Sequence, residues 1–170
     1  MESWDLFDEE RNPLFRTRQR GTPGRQGEYH VVVSIWTVDS HGNVLLTLRD
    51  PAKESYPNVW ENTGGSALAG ESSISAAVRE LFEETGIRAT ERELILIGTE
   101  QTRDSFVDHY LLRRDLALSE IQLQPGETAD ARWVTLLELD AMIQDLSLAK
   151  PIGEQFNTIR ERFLLFLKGK

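Results

Sequence analysis

The feature that most constrains this sequence is a cluster of three glutamates, Glu80, Glu83 and Glu84, within the stretch 65–87. Positions i, i+3 and i+4 of an α-helix lie on one face, so the three carboxylates are expected to point the same way. Like charges at this spacing repel each other unless a cation lies among them. Clustered carboxylate oxygens are ligands that Mg²⁺ or Mn²⁺ prefers. The spacing therefore predicts a divalent metal site, and a solvated acidic helix face is the alternative.

The residues around the glutamates predict an amphipathic helix over about 72–85. Its apolar stripe, at about 100° per residue, consists of Ile74, Ala77, Val78, Leu81 and Phe82. Ser72 or Ser73 is a candidate N-cap, and Gly86 is a candidate residue for the left-handed turn after the helix. Arg79 flanks the carboxylates and can orient one of them through a charge-assisted hydrogen bond.

The bulk composition limits the function classes. A chain of 170 residues suits one domain, 1–170, with a full-sized core. A net charge of −9 disfavours non-specific binding to nucleic acid polymers or to anionic membranes, but leaves open a small diphosphate substrate brought in with divalent ions. No stretch is long and apolar enough to predict a transmembrane helix.

The absence of cysteine has consequences of its own. It excludes a disulfide, a thiolate zinc site and a cysteine nucleophile. It also fits a reducing compartment, and the first five residues lack the pattern of a signal peptide, so we expect a cytoplasmic location.

The pattern along the chain predicts a mixed sheet between helices, an α/β (α+β) layered domain. Residues 1–28 are a polar N-terminal extension with a small hairpin around Arg11-Asn12-Pro13. Strands are predicted at 29–38, 44–48, 60–63, 93–102, 106–113 and 131–134. Further helices are predicted at 136–144, with Thr135 as N-cap, and at 153–167.

The stretch 65–87 resembles the Nudix box, the signature of the Nudix hydrolase family. Its fixed positions are filled by Gly65, Glu71, Arg79, Glu80, Leu81, Glu83, Glu84, Gly86 and Ile87. The resemblance implies an α/β/α sandwich with a mixed sheet. It also implies Mg²⁺-dependent cleavage of a pyrophosphate bond in a nucleoside diphosphate-linked or other diphosphate compound.

The resemblance also assigns roles to particular residues. Glu80, Glu83 and Glu84 match the metal ligands, and the Gly64 carbonyl is a further candidate ligand. Glu80, Glu83 and Glu127 are the candidate catalytic carboxylates, with Asp130 and Glu120 as rivals of Glu127. Gly65, Glu71, Arg79 and Gly86 match residues that support the box. Relatives are often dimers, so the resemblance also allows a homodimer.

A second resemblance points to the Nudix proteins close to isopentenyl-diphosphate isomerase. It rests on Trp4-Asp5-Leu6-Phe7-Asp8 and on the segment Arg49 to Glu61. It implies that Arg49 and Lys53 contact a diphosphate and makes His30 a candidate substrate contact. The isomerase uses a catalytic cysteine that this chain lacks, so the hydrolase is favoured and the isomerase is an alternative.

Two further alternatives concern function and charge. A Nudix module that binds a nucleotide without cleaving it usually lacks box glutamates, whereas all of them are present here. Arg16, Arg18 and Arg20 alternate as on one face of a strand, where a solvated edge is favoured over phosphate contact.

Overall fold

The computed structural model describes residues 2–169, which contain nine strands and three α-helices. The strands are Ser3–Phe7 (β1), Pro13–Gln19 (β2), His30–Val38 (β3), Val44–Arg49 (β4), Trp60–Glu61 (β5), Thr63–Ser66 (β6), Ile95–Gln101 (β7), Ser105–Arg113 (β8) and Thr128–Val134 (β9). The helices are Ser73–Thr85 (α1), Leu136–Gln144 (α2) and Lys150–Lys168 (α3).

The central strand of the sheet is β3. It runs parallel to β8 over its whole length, from His30 opposite Ser105 to Val38 opposite Arg113. On its other side β3 pairs antiparallel with β6 and, through a tight hairpin, with β4. Antiparallel β7 lies outside β8, and β9 and β5 both pair with β4. The predicted mixed sheet is therefore confirmed.

Helices cover both faces of the sheet, which explains why β3 is an almost unbroken apolar run. Val33 and Ile35 pack on the α1 side, together with Leu81. Trp36 packs on the opposite side against Phe156 of α3, with ring centroids 5.0 Å apart. This arrangement is the expected α/β/α sandwich, and it places α1 alone on the face that carries the box.

The ends of α1 follow its sequence signals. The Ser72 hydroxyl accepts a hydrogen bond from the Ser75 amide at 3.2 Å, and Gly86 takes the left-handed conformation with φ of 72°. The Gly86 N–H donates to the Phe82 carbonyl at 2.8 Å. The predicted apolar stripe is wrong at Phe82, which is 41% exposed. Its ring instead lies under the Arg88 guanidinium, a contact that no helical periodicity encodes.

Several predicted boundaries need correction. The strand predicted at 131–134 begins at Thr128, because residues 128–130 extend the pairing with β4. The last helix begins at Lys150 rather than at 153, since Pro151 is tolerated in its first turn. The strand predicted at 60–63 is two strands, one pairing with β4 and the other with β3.

The N-terminal extension forms the predicted hairpin. Strands β1 and β2 pair antiparallel, with Trp4 opposite Arg18. The Phe7 and Tyr29 backbones exchange hydrogen bonds of 2.8 and 2.9 Å, which attach the hairpin to the start of the sheet. Arg18 is 7% exposed, so a solvated edge is the wrong description of that residue.

Candidate active site

The face of α1 opposite its apolar side opens onto a cleft of about 340 Å³. The candidate residues that line this cleft are Arg49, Lys53, Gly64, Gly65, Arg79, Glu80, Glu83, Glu84 and Glu127. They come from α1, from β6, from the last residue of β4, and from the loops that follow β4 and precede β9. The fold thus gathers residues up to 78 positions apart in the chain (127 − 49) at one end of the sheet.

Arg79 lies at the centre of the carboxylate cluster. Its Nη1 donates to Glu80 at 2.8 Å and to Glu83 at 3.1 Å. Its Nε and Nη2 donate to the two carboxylate oxygens of Glu71 at 2.9 and 2.8 Å. Hydrogen bonds from Glu71 and then Glu80 outweigh desolvation and raise the pKa of Arg79. The guanidinium thus holds three carboxylates, where the sequence predicted one.

Glu84 is in a different environment from the other two box glutamates. It is buried, at 9% exposure, whereas the Glu83 side chain is 42% exposed at the rim. The Gly64 N–H donates to a Glu84 carboxylate oxygen at 3.4 Å, a long hydrogen bond. Burial raises the pKa of Glu84 well above its ordinary value, and the negative charges of Glu61 and Glu80 add to the effect. Glu84 is therefore the carboxylate that gains most from a nearby cation.

The three glutamates reach the same cleft without converging on one point. Within residues 2–169 no group of three acidic or histidine side chains is close enough to form a ready-made metal cage. Glu80 and Glu83 bond instead to Arg79. The donors nonetheless fit a hard divalent cation, because they are carboxylate oxygens and the Glu84 carboxylate is buried beside like charges.

The two glycines before the box allow close backbone contacts. A Cβ at Gly65 would overlap the carboxylate of Glu80, so glycine lets that side chain lie directly against β6. A Cβ at Gly64 would lie 2.5 Å from the Val33 carbonyl oxygen across the β3–β6 pair. The missing side chain therefore makes room for the site at Gly65 and for the sheet pairing at Gly64.

The opposite side of the cleft carries the two cations expected to contact phosphate. Lys53 forms a salt bridge with Glu127, which joins two loops across the cleft. Arg49 Nη1 donates to both carboxylate oxygens of Glu61 at 2.8 and 2.9 Å. Burial raises the pKa of Glu61 despite this contact. The sequence analysis assigned no role to Glu61, although an acidic residue just before the Gly64-Gly65 pair was an available signal.

Three candidate residues lie elsewhere. His30 is not among the side chains that line this cleft in the described chain; it stacks on Trp4, with ring centroids 4.3 Å apart. Of the rivals of Glu127, Asp130 accepts from the Ala131 amide at 2.8 Å and Glu120 from the Ala117 amide at 2.7 Å. Of these three acidic residues, Glu127 is the one that lines the cleft.

The hairpin supplies part of the cleft wall that the sequence analysis missed. Glu2, Trp4 and Arg20 line the cleft, and Arg20 donates to Glu2 at 2.7 Å. The alternation of arginines in β2 indicated a shared face, but no pattern indicated that the hairpin folds against the box.

Comparison with known proteins identifies the class. The family model of the NUDIX domain matches residues 28–156. An uncharacterised Nudix hydrolase of Listeria monocytogenes is 38% identical over 148 residues, covering 84% of this chain and 85% of the relative. The chain therefore belongs to the Nudix family. More particularly, it is a Nudix hydrolase, an enzyme that acts on acid anhydrides.

Two further comparisons describe its neighbours. The isopentenyl-diphosphate Δ-isomerase of Paenarthrobacter aurescens is 28% identical over 175 residues, covering 96% of this chain and 94% of the isomerase. The crystal structure of DR0079 from Deinococcus radiodurans superposes with a TM-score of 0.77 at 24% identity, covering 94% and 98% of the two chains. The similarity to isomerase-type Nudix proteins is thus confirmed.

No helix in residues 2–169 has the length and apolarity needed to cross a bilayer.

Proposed function

We propose that this protein is a Mg²⁺-dependent pyrophosphohydrolase that cleaves the pyrophosphate bond of a nucleoside diphosphate-linked compound or another diphosphate. The observation that carries the proposal is the buried Glu84 carboxylate, which lies beside like charges in a cleft that also contains Glu80, Glu83 and four basic residues. Carboxylate oxygens and basic side chains that line one cleft suit a polyanion that binds together with a divalent ion.

In this proposal Glu80, Glu83 and Glu84 hold the ion, with the Gly64 carbonyl as a further ligand. When bound, Mg²⁺ or Mn²⁺ supplies charge neutralisation and a lowered pKa for a coordinated water. Arg79 Nη1 contacts both Glu80 and Glu83, so these carboxylates would have to turn away from the guanidinium to hold the ion. Glu71 keeps Arg79 in place through two hydrogen bonds.

The basic residues on the opposite side of the cleft bind the substrate. Arg49 and Lys53 neutralise the diphosphate, and substrate binding exchanges their carboxylate partners, Glu61 and Glu127, for phosphate oxygens. Once Lys53 leaves it, Glu127 is free to accept a proton from the attacking water. Glu83, the most exposed of the three box glutamates, is the other candidate base.

The test is a hydrolysis screen over nucleoside triphosphates, nucleotide sugars, dinucleotides and isoprenoid diphosphates with Mg²⁺ or Mn²⁺, with products identified by mass. Glu83→Gln is expected to lower kcat by about 10²–10⁴ on any compound cleaved. Glu161→Gln is the matched control, because Glu161 is exposed on α3 away from the cleft. Unchanged turnover in Glu83→Gln would reject the assignment.

The isomerase alternative predicts a product of unchanged mass. The geometry does not favour it, because the position beside Glu80 is Gly65, which has no side chain to transfer a proton. Conversion of isopentenyl diphosphate into its double-bond isomer, with no phosphate released, would support the isomerase instead.

A further inference from the structure

Trp4 is an aromatic residue in the wall of the box cleft. It lies in β1, and the strand alternation and the β1–β2 register put it on the same face of the hairpin as Glu2 and Arg20. These three residues line the cleft together. Trp4 is only partly buried. Its indole is therefore positioned to contact a ligand in the cleft.

One face of the Trp4 indole is already covered. His30 stacks on it, with ring centroids 4.3 Å apart and an angle of 13° between the ring planes. The Arg18 guanidinium carbon lies 5.6 Å from the indole centroid, and Arg18 Nη2 lies 3.3 Å from His30 Nδ1. Groups packed on opposite faces of a ring are about 7–8 Å apart, twice the van der Waals separation. His30 and Arg18 therefore do not lie on opposite faces of Trp4.

The face of the indole opposite His30 is the one that the cleft reaches. Trp4 lines the cleft, whereas His30 and Arg18 do not. In the described part of the chain, no second aromatic ring stacks on Trp4. The backbone hydrogen bonds between Phe7 and Tyr29 attach the hairpin to the sheet, so the indole is held in place before a ligand binds. A rigid aromatic surface of this kind loses little conformational freedom on binding.

The surroundings of the indole favour a nucleobase over a hydrocarbon chain. An isoprenoid tail requires an apolar pocket, whereas the apolar side chains that line the cleft within the described residues are those of Trp4 and Leu68. A nucleobase presents a flat π face and polar edges, and any base can stack on an aromatic side chain. Glu2 and Arg20, whose side chains are 51% and 62% exposed, can accept hydrogen bonds from and donate them to such edges.

We propose that Trp4 is the surface on which the base of a nucleoside diphosphate-linked substrate stacks. The inference rests on the proposed function and selects, among the compounds considered there, those that carry a nucleoside. Trp4 then contributes to substrate binding and specificity, whereas the box glutamates act at the pyrophosphate bond.

The test uses diphosphate analogues that resist hydrolysis, so that binding is measured without turnover. α,β-Methylene-ADP and α,β-methylene-CDP carry a base, and methylenediphosphonate is the matched compound without a nucleoside. In calorimetry with Mg²⁺, the wild-type protein is expected to bind at least one nucleoside analogue more tightly than methylenediphosphonate. Trp4→Leu is expected to weaken binding of that nucleoside analogue about tenfold or more and to leave methylenediphosphonate binding unchanged.

A conservative variant separates stacking from a structural role. Trp4→Phe keeps an aromatic face and should restore most of the affinity lost in Trp4→Leu. Binding of the nucleoside analogue should quench tryptophan fluorescence in the wild-type protein, and Trp4→Phe should lose this quenching. Trp133→Phe is the control and should keep both affinity and quenching, because Trp133 donates to the Leu116 carbonyl at 3.3 Å and does not line the cleft.

Three outcomes would overturn the proposal alone. The first is an equal loss of affinity for analogues with and without a base in Trp4→Leu, which marks a structural tryptophan. The second is equal affinity of the wild-type protein for methylenediphosphonate and both nucleoside analogues. The third is that isopentenyl diphosphate, and neither nucleoside analogue, binds in a manner that depends on Trp4, which would assign the indole to a hydrocarbon tail. Failure of the wild-type protein to bind any of these compounds with Mg²⁺ would instead reject the proposed function itself.

Discussion

Arg11 and Asp108 form a two-point ion pair, with Nη1 and Nη2 donating to the two carboxylate oxygens at 2.8 and 2.6 Å. Arg11 lies in the turn of the N-terminal hairpin, and Asp108 lies in the middle of β8. Ser73 and Thr99 donate to the same carboxylate at 2.5 and 2.6 Å. One buried side chain thus connects the hairpin, the first turn of α1 and the sheet.

Removal of this carboxylate should destabilise the whole fold. Asp108→Ala leaves Arg11 and two hydroxyls without their acceptor, so the free energy of unfolding should fall by about 3–5 kcal/mol. Urea denaturation measures the change. Lys150→Met is the control, because it breaks an exposed pair with Glu154 and should change stability by less than about 1 kcal/mol. Equal effects of the two substitutions would contradict the assigned role.

Gly64 and Gly65 should respond differently to alanine. Gly65→Ala forces the Glu80 carboxylate away from β6, so turnover and metal affinity should fall while the fold remains. Gly64→Ala places a methyl group 2.5 Å from the Val33 carbonyl oxygen, so its main effect should be a lower free energy of unfolding. Activity assays and denaturation on both variants check this contrast. A Gly65→Ala enzyme with normal turnover would show that the Glu80 position is unimportant.

Stabilisation of the folded protein by Mg²⁺ should depend on Glu84. Glu84→Gln removes a buried negative charge, so the metal-free variant should unfold at a higher temperature than the metal-free wild type. Mg²⁺ should stabilise the wild-type protein and have little effect on the variant. Thermal unfolding with and without Mg²⁺ measures both effects. An equal Mg²⁺ response in the two proteins would place the ion elsewhere.

Because His109 is buried, the free energy of unfolding should fall in mild acid. Burial on β8 lowers its pKa to about 4, from an unfolded value near 6.5. The unfolded chain therefore binds more protons between these values, so stability is fully present above pH about 6.5 and falls as pH drops toward 4. Burial also raises the pKa of Glu100, whose Oε2 lies 3.8 Å from His109 Nε2. Denaturation of His109→Leu and of the wild-type protein across this pH range isolates the histidine. The free energy of unfolding of the variant should depend less on pH.

Much of the fold was accessible from the sequence because its signals are local. The Ser72 cap, the Gly86 turn and the apolar side of α1 depend on residues within a few positions of one another. The same holds for the hairpin at Arg11 and the Thr135 cap of α2. The strand predicted at 29–38 is likewise a local signal, and the two core clusters show that it is buried on both faces.

The missed features involve partners far apart in the chain. Arg11 meets Asp108 across 97 positions, and Lys53 meets Glu127 across 74. No spacing rule encodes such contacts. The arginine alternation in β2 was visible, but burial of Arg18 depends on the placement of Trp4 and of the Gly24 loop around it.

The hairpin that contributes Glu2, Trp4 and Arg20 to the cleft precedes the part of the chain that the family model matches. A shortened version cut at that family boundary would retain every box glutamate while losing one wall of the cavity. It would also lose Arg11, and with it the ion pair that connects the hairpin to Asp108. The leading hairpin and the box helix, which come from separate stretches of the chain, thus form different parts of one cleft.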